Sequence, residues 1–422
     1  MPGGCRRGAT IETAEPGRSV AVTVVVDSGE LVTVLRDRFD DGTDSRTGPI
    51  TVASAPGRVN LVGGHTDYNE GFVLPVAVGR RVTVAARPHS DPRVRVHSRD
   101  FGERDEFDLG RIERRDGSHW SNYVRGVARE LGTAVESDRS LGGADLVVEG
   151  TVPMGAGLGS SAAFELAVGA ALAAASDFDV DRRTLVRICR AAENDFVGVD
   201  CGIMDQFVAA FGEADAALFL DCRDETFETI PIAGDVRIVV TDTNVRHDLV
   251  DSAYNERRRE CERGVAALDE CLDRKITALR DVTAEDLDRC EDTLDETVRR
   301  RVEHVVTENE RVGAAAAALE RGDLARVGDL MHESHASLRD RYGVSCDELD
   351  AVVEIADETD GVYGSRMTGA GFGGSVVSLV KPAVVDRFER VVTAEYEKRF
   401  GIEADVYSCE ADEGVRIRQW GD

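Results

Sequence analysis

Three short glycine-bearing stretches hold most of the residues that could do chemistry. The first is Pro153-Met154-Gly155-Ala156-Gly157-Leu158-Gly159-Ser160-Ser161-Ala162, set between a strand-like run and a long apolar run. Glycines let a backbone approach an anion closely. Their amides and the N-terminus of the next helix then present positive dipole to it. Ser160 and Ser161 add hydroxyls that can reach a phosphate or Mg²⁺. The same residues also fit a tight turn with a serine cap. The second stretch, Gly57 to Asn69 (GRVNLVGGHTDYN), places Arg58, His65 and Asp67 among apolar neighbours. That mixture suits a hydroxyl-rich ligand; a plain surface loop is the competing reading. The third, Gly369-Ala370-Gly371-Phe372-Gly373-Gly374, contains a literal G-x-G-x-x-G. It leads into the strand-like run Ser375 to Val380 instead of opening a helix, which argues against a dinucleotide site. A loop packed closely against a ligand or another backbone is expected there. None of the three lysines stands where a P-loop needs one, and the protein-kinase motif set is missing.

The elements that must position these stretches are legible from periodicity. Residues 51–63 read as a strand, a Pro-Gly turn and a second apolar stretch. Residues 81–86, 93–97 and 144–150 read as strands, and 120–131, 160–175 and 181–196 as helices. Near 212–222 the pattern changes, with strands at 219–221 and 236–241 and a domain boundary near 212–235. Charged helices follow over 252–272, 295–320, 322–338 and 346–359. Strands at 373–380 and 403–409 flank a helix at 384–399. This predicts an α+β chain of two domains, 29–220 and 221–422, after an extension over 1–28. No Met occurs between Met1 and Met154, which is consistent with an over-extended start.

Composition narrows the function classes. Eighty Asp+Glu against 51 Lys+Arg in 422 residues give a formal charge of −29. Such a chain repels nucleic-acid backbones as a whole, which excludes a generic DNA or RNA binder. Lys275, Lys381 and Lys398 are the only lysines. An acid-rich, arginine-retaining chain is expected of a protein working in concentrated salt, where surface repulsion is screened. Nine scattered cysteines with no C-x-x-C pair suggest neither zinc nor a redox motif, and a reduced cytoplasm is expected. No apolar run reaches the length of a membrane span. The run Val20–Val26 has Arg18 before it and no cleavage site after it, so no signal peptide is expected.

Taken together, the motifs carry a resemblance. GRVNLVGGHTDYNEGFVLP, VPMGAGLGSSAAFELA and MTGAGFGGSVVSLV occur in the order and spacing of the three GHMP kinase motifs. APGRVNLVGGHTDYN, CGIMDQFVAAFG, NVRHDLVDSAYNERRREC and SHASLRDRYGVSCDELD make the chain similar to the galactokinases within that superfamily, over about residues 30–410. The resemblance implies a ribosomal-S5-like N-terminal domain, a ferredoxin-like C-terminal domain and an active site in the cleft between them. It implies transfer of the γ-phosphoryl of ATP to the 1-hydroxyl of α-D-galactose, with Mg²⁺. By the same resemblance, Asp205 is the catalytic carboxylate. Arg58 would sit close to both Asp205 and the transferring phosphoryl, where a guanidinium keeps the carboxylate ionised and stabilises the phosphoryl oxygens. Whether Asp205 acts as base or only positions the hydroxyl stays open. Ser161 and Glu193 are the implied Mg²⁺ ligands. Gly155, Gly157, Gly159, Ser160 and Ser161 would hold the phosphates, with Trp120 and Tyr123 near the adenine. His65, Asp67, Gly202 and Tyr254 would hold the sugar hydroxyls. The only partners implied are the sugar and ATP, with a monomer favoured and neither nucleic acid nor membrane involved.

Two positions depart from the family pattern. Gly64 stands where the galactokinases have a Glu before His-Thr-Asp-Tyr, a residue that in the family contacts the 6-hydroxyl. Galactose with a local adjustment is the expected reading. The alternative is a sugar altered at carbon 6: L-arabinose, D-fucose or D-galacturonate. Gly159 stands where many relatives have a third serine. A non-catalytic sugar sensor is the remaining reading, weakened by the presence of Arg58, Ser160, Ser161, Glu193 and Asp205.

Overall fold

The strand expected over 51–63 runs unbroken as β1 (Ile50–Asn60) in the computed structural model, which describes residues 25–40, 48–117, 119–134, 140–232, 234–246 and 250–421. Pro56-Gly57 is not a turn. Pairing with the neighbouring strand shifts register there, a bulge that tolerates a residue lacking the ladder N–H. The extension expected over 1–28 lies outside the described residues as far as 24, and Ser28 already opens helix α1 (Ser28–Phe39).

The first sheet joins β1 to β3 (Pro75–His89), β4 (Arg93–Ser98), β5 (Glu103–Asp108), β6 (Gly143–Gly150) and the late strand β13 (Arg416–Trp420), in the order β13-β1-β3-β6-β4-β5. One face packs on α1 through Leu31, Leu35 and Phe39. The other packs on α3 (Ser160–Ala175) and α5 (Met204–Phe211), with α2 (Ser121–Ala134) and α4 (Arg182–Ala191) behind them. Helix α3 is apolar almost all round because it lies in the middle of this layer. A short sheet of β2 (Phe72–Val73), β7 (Ala216–Asp221) and β8 (Thr226–Pro231) closes one end.

The second sheet is β9 (Arg237–Asp242), β10 (Val362–Thr368), β11 (Ser375–Val380) and β12 (Asp405–Cys409), antiparallel in the order β10-β11-β9-β12. Helices α6 (Val250–Cys271), α7 (Ala284–Arg289), α8 (Glu296–Glu320), α9 (Leu324–Ser337) and α10 (Asp347–Asp357) connect β9 to β10. Helix α11 (Val385–Phe400) connects β11 to β12. This is the ferredoxin-like β-α-β-β-α-β plan, with extra helices inserted in its first crossover. Successive residues of β9 serve two cores. Ile238 and Val240 join the cluster that continues under the first sheet, and Val239 joins a second cluster under α6, α10 and α11.

Two features correct the sequence reading. A cut at 220/221 would part β7 from its hairpin partner β8, and β13 returns the end of the chain to the first sheet. Cys271 and Cys290 form a disulfide, where scattered reduced thiols were expected; the described free cysteines are Cys189, Cys201, Cys222, Cys261, Cys346 and Cys409. Among the described residues no helix is long and apolar enough to cross a membrane.

Candidate active site

The bulge in β1 builds the first wall of the cleft. A β-carbon on Gly57 would stand 2.7 Å from the carbonyl oxygen of Leu158, so only glycine lets the loop 153–159 lie against the strand. The next residue seals the contact: Arg58 N–H donates to Leu158 O at 2.8 Å. The Arg58 guanidinium then forks onto Asp205, Nε to Oδ1 at 2.7 Å and Nη2 to Oδ2 at 2.5 Å. Its third nitrogen, Nη1, donates to the carbonyl of Gly157. Arg58 is buried, whereas the Asp205 side chain keeps 23% of its surface open to the cleft. Asp205 lies in the first turn of α5, where the helix dipole favours an anion.

The glycine loop is shaped by backbone conformation. Gly155, Gly157 and Gly159 have φ of 69°, 74° and 67°, a region that L side chains rarely adopt. Gly159 occupies the N-cap of α3 without a side-chain bond. Ser160 and Ser161 are therefore the first helical residues and not the cap, which leaves their hydroxyls clear of that duty. Behind the loop, a β-carbon on Gly369 would lie 2.7 Å from Gly157 Cα. The third glycine stretch is thus a backbone packed on a backbone, as its sequence context suggested. Arg246 was missed by sequence reasoning: its Nε would lie 3.1 Å from a β-carbon on Gly155, and its fork is held by Asp242 at 2.6 and 2.8 Å. A lone arginine in a charged segment gives no periodic signal.

Glu193 sits in a π turn, Ala192–Val197, that ends α4. Such widened turns occur often at functional sites. Its Oε2 accepts from Gln206 Nε2 at 2.6 Å and from Cys201 Sγ at 3.3 Å, and Ser161 donates to the same carboxylate. Burial raises the Glu193 pKa, with the Asp205 charge adding to it. Gln206 also donates to Glu165 Oε2 at 3.2 Å, while Glu165 Oε1 has no partner. Burial next to Glu193 pushes Glu165 far above the ordinary carboxyl range. Among the described residues no cluster of three or more His, Cys, Asp or Glu could hold a metal by itself. One carboxylate beside one hydroxyl nevertheless fits Mg²⁺, a hard ion that keeps waters and shares phosphate oxygens.

A second cluster of polar groups is built around Asp67. Its pKa is raised to about 6, first by burial and then by the charge of Asp205. A β-carbon on Gly202 would fall 1.9 Å from Asp67 Oδ2, so Gly202 makes room for that carboxylate. The Tyr254 ring packs 5.6 Å from His65 and 5.3 Å from Tyr68, centroid to centroid. His65 spends both ring nitrogens inside the protein, on Tyr68 Oη and on the Ala370 carbonyl. Burial lowers its pKa to about 3, so the ring is neutral. The space beside Gly64 is filled: a β-carbon there would meet Arg366 Nη2 at 2.7 Å and Leu338 at 3.1 Å. Behind it, Glu308 accepts from the amides of Gly63 and Gly64 and from Ser334 and Arg311.

The aromatic pair is only partly available. Trp120 is nearly buried, its ring stacked on Phe101 at 5.8 Å and its Nε1–H given to Glu103. Tyr123 meets Phe164 edge-on at 6.4 Å, one turn along α3 from Ser160. The pair therefore lies beside the first turn of α3, with Phe101 as the more exposed ring.

Comparison with known proteins gives one answer. The families described as GHMP kinases N terminal domain and GHMP kinases C terminal match residues 122–213 and 315–398. The galactokinase galactose-binding signature matches residues 37–88. The chain is 46% identical to the galactokinase of Roseiflexus sp. (strain RS-1), over 93% of this chain and 97% of that one. It is 50% identical to the galactokinase of Chloroflexus aggregans, over 87% and 93%. The crystal structure of Lactococcus lactis galactokinase complexed with galactose superposes with a TM-score of 0.85 at 38% identity, over 92% of this chain and 99% of that one. A mevalonate kinase at 16% identity and a TM-score of 0.59 shares the fold. With its two GHMP kinase domains and the cleft between them, the chain belongs to the galactokinase family.

Proposed function

We propose that Asp205 receives the proton of the 1-hydroxyl of α-D-galactose as that oxygen attacks the γ-phosphorus of ATP, releasing ADP. The Arg58 fork carries this reading. It fixes both carboxylate oxygens of Asp205 and ties the same guanidinium to the phosphate loop through Gly157. The group that orients the sugar oxygen and a cation facing the phosphoryl are thereby held by one side chain.

Gly155, Gly157, Gly159, Ser160 and Ser161 would cradle the phosphates, with Arg246 as a second cation at the loop. Ser161 and Glu193 would hold Mg²⁺, which when bound neutralises phosphate charge. Trp120 and Tyr123 would border the adenine. Asp67 and Tyr254 would take sugar hydroxyls, and Gly202 would leave Asp67 its place. His65 would contribute through its main chain, since its ring is committed. Arg366 and Leu338 occupy the room beside Gly64, so the lost glutamate is absorbed inside the protein, which supports galactose itself. The same reading makes the enzyme a cytoplasmic monomer whose partners are sugar and nucleotide.

The test is Asp205→Asn in an ADP-release assay with D-galactose and Mg-ATP. We expect kcat to fall by roughly 10²–10⁴ with an unchanged circular dichroism spectrum. Near-normal turnover would overturn the assignment.

A further inference from the structure

Behind the sugar side of the cleft, four side chains form a hydrogen-bonded line. Cys261 Sγ lies 3.2 Å from Tyr342 Oη, and Tyr342 Oη lies 2.7 Å from Tyr68 Oη. Tyr68 Oη lies 2.9 Å from His65 Nδ1, and His65 Nε2 lies 3.1 Å from the Ala370 carbonyl oxygen. The members come from α6, the π turn after α9, and the loop after β1; the last acceptor is in the third glycine stretch.

One carbonyl sets the direction of every bond in this line. A carbonyl oxygen only accepts, so His65 Nε2 carries the ring proton. Nδ1 of the neutral ring can then only accept, so Tyr68 O–H donates to it. Each hydroxyl has a single proton. Tyr342 therefore donates to Tyr68, and the Cys261 thiol donates to Tyr342. Asn69 Nδ2 completes the frame, donating to His65 O at 2.9 Å and to Cys261 Sγ at 3.6 Å.

The line ends on a residue of unusual backbone conformation. His65 has φ of 61°, a strained choice for a residue with a side chain, and such strain persists where surrounding contacts over-determine it. The Tyr254 ring rests on the two residues at the end of this line, His65 and Tyr68.

We propose that Tyr342 and Cys261 are positioning residues for sugar binding: they orient Tyr68 and His65, and these hold Tyr254 and the loop carrying Asp67. The inference rests on the reading that Asp67 and Tyr254 hold the sugar. It adds that the second lobe sets the geometry of that pocket through a directed chain of donors.

The experiment uses the full chain. Tyr342→Phe keeps the ring and removes one donor. It should raise KM for D-galactose about five- to tenfold, the scale of a misplaced contact, while KM for ATP changes less than about twofold. Cys261→Ala should raise galactose KM by a smaller factor, and Cys261→Ser, which keeps a donor, should restore it. A ¹⁵N NMR spectrum should show His65 neutral and protonated at Nε2. Melting temperatures identify any variant that fails to fold, and the NMR tautomer tests the line in the unaltered protein. An Nδ1-protonated ring would overturn the proposal. So would equal effects on both KM values, or none from either Tyr342→Phe or Cys261→Ala. Tyr254→Phe and Asp67→Asn separate the two levels. If they leave galactose KM unchanged, the sugar-site reading falls and takes this inference with it. If they raise it and Tyr342→Phe does not, only the positioning role falls.

Discussion

Gly202 lies so close beneath Asp67 that a β-carbon on it would stand 1.9 Å from Oδ2 and 2.3 Å from Cγ of that carboxylate. The two residues are far apart in sequence, and each is in a short motif of its own. Their contact fixes where the carboxylate can point. Gly202→Ala should displace Asp67 by about an ångström and raise KM for galactose by tenfold or more, leaving KM for ATP near its starting value. Steady-state kinetics with each substrate varied in turn checks this; an alanine variant with unchanged galactose KM would mean that Asp67 does not hold the sugar.

The raised pKa of Asp67 gives a pH dependence with a definite sign. With its pKa near 6, Asp67 loses its charge as the medium is acidified through that value. Galactose KM should rise as pH falls below about 6, approaching tenfold per pH unit, with no matching rise in KM for ATP. Folding responds in the opposite sense. The native chain holds a proton that the unfolded chain releases above about pH 4, so this group's contribution to stability declines as pH rises from about 4 to 6. Measuring galactose KM from pH 5 to 8 is the check, and a flat profile counts against the role of Asp67.

If the residue at position 64 faced the sugar, Gly64→Glu would sharpen discrimination at carbon 6. The structure points elsewhere, because Arg366 and Leu338 already fill that direction, and Arg366 Nε and Nη1 make no hydrogen bond, Nη1 lying 4.0 Å from Glu308 Oε1. A glutamate there should turn inward towards Arg366. We expect a stability change of about 1–3 kcal/mol from overpacking and an unaltered ratio of D-galactose to D-fucose turnover. A ratio that shifts several-fold would return the determinant to the sugar.

A net charge of −29 repels itself most in dilute buffer. Screening should stabilise the chain, raising the melting temperature by about 5 °C or more between low salt and molar KCl. A scanning calorimetry series in KCl decides it; a flat or falling trend removes the high-salt reading.

Periodicity alone located most helices, because long apolar faces repeat regardless of what they pack against. Helix α3 shows this, with the expected and observed spans both 160–175. The strands that escaped notice had physical reasons to do so. β10 contains Gly364, which lies against Gly328 of α9; a β-carbon on Gly328 would fall 1.8 Å from Tyr363 O. Contact that close demands glycine in mid-strand, which interrupts the apolar alternation between Tyr363 and Met367. β13 is an edge strand of mostly exposed residues, and β8 is half-exposed. The candidate site was legible where glycines and charges cluster, as in 57–69 and 153–162. Arg246, Glu165 and Tyr342 were not. Their significance lies in what the fold brings beside them, and no local spacing announces it. The bulge at Pro56-Gly57 was mistaken for a turn because the two residues signal a break without saying whether the strand resumes.

The pairing of Ile50 with Trp420 makes the assembly of the catalytic lobe a matter of timing. β1 carries Arg58, yet one of its two edges is completed by residues near the far end of the chain. During synthesis that edge stays open while the second lobe is made, offering unpaired amides to any neighbouring strand. Contacts so distant in sequence also slow folding. The growing chain thus carries the arginine strand half-paired until the residues of β13 are made and can close that edge.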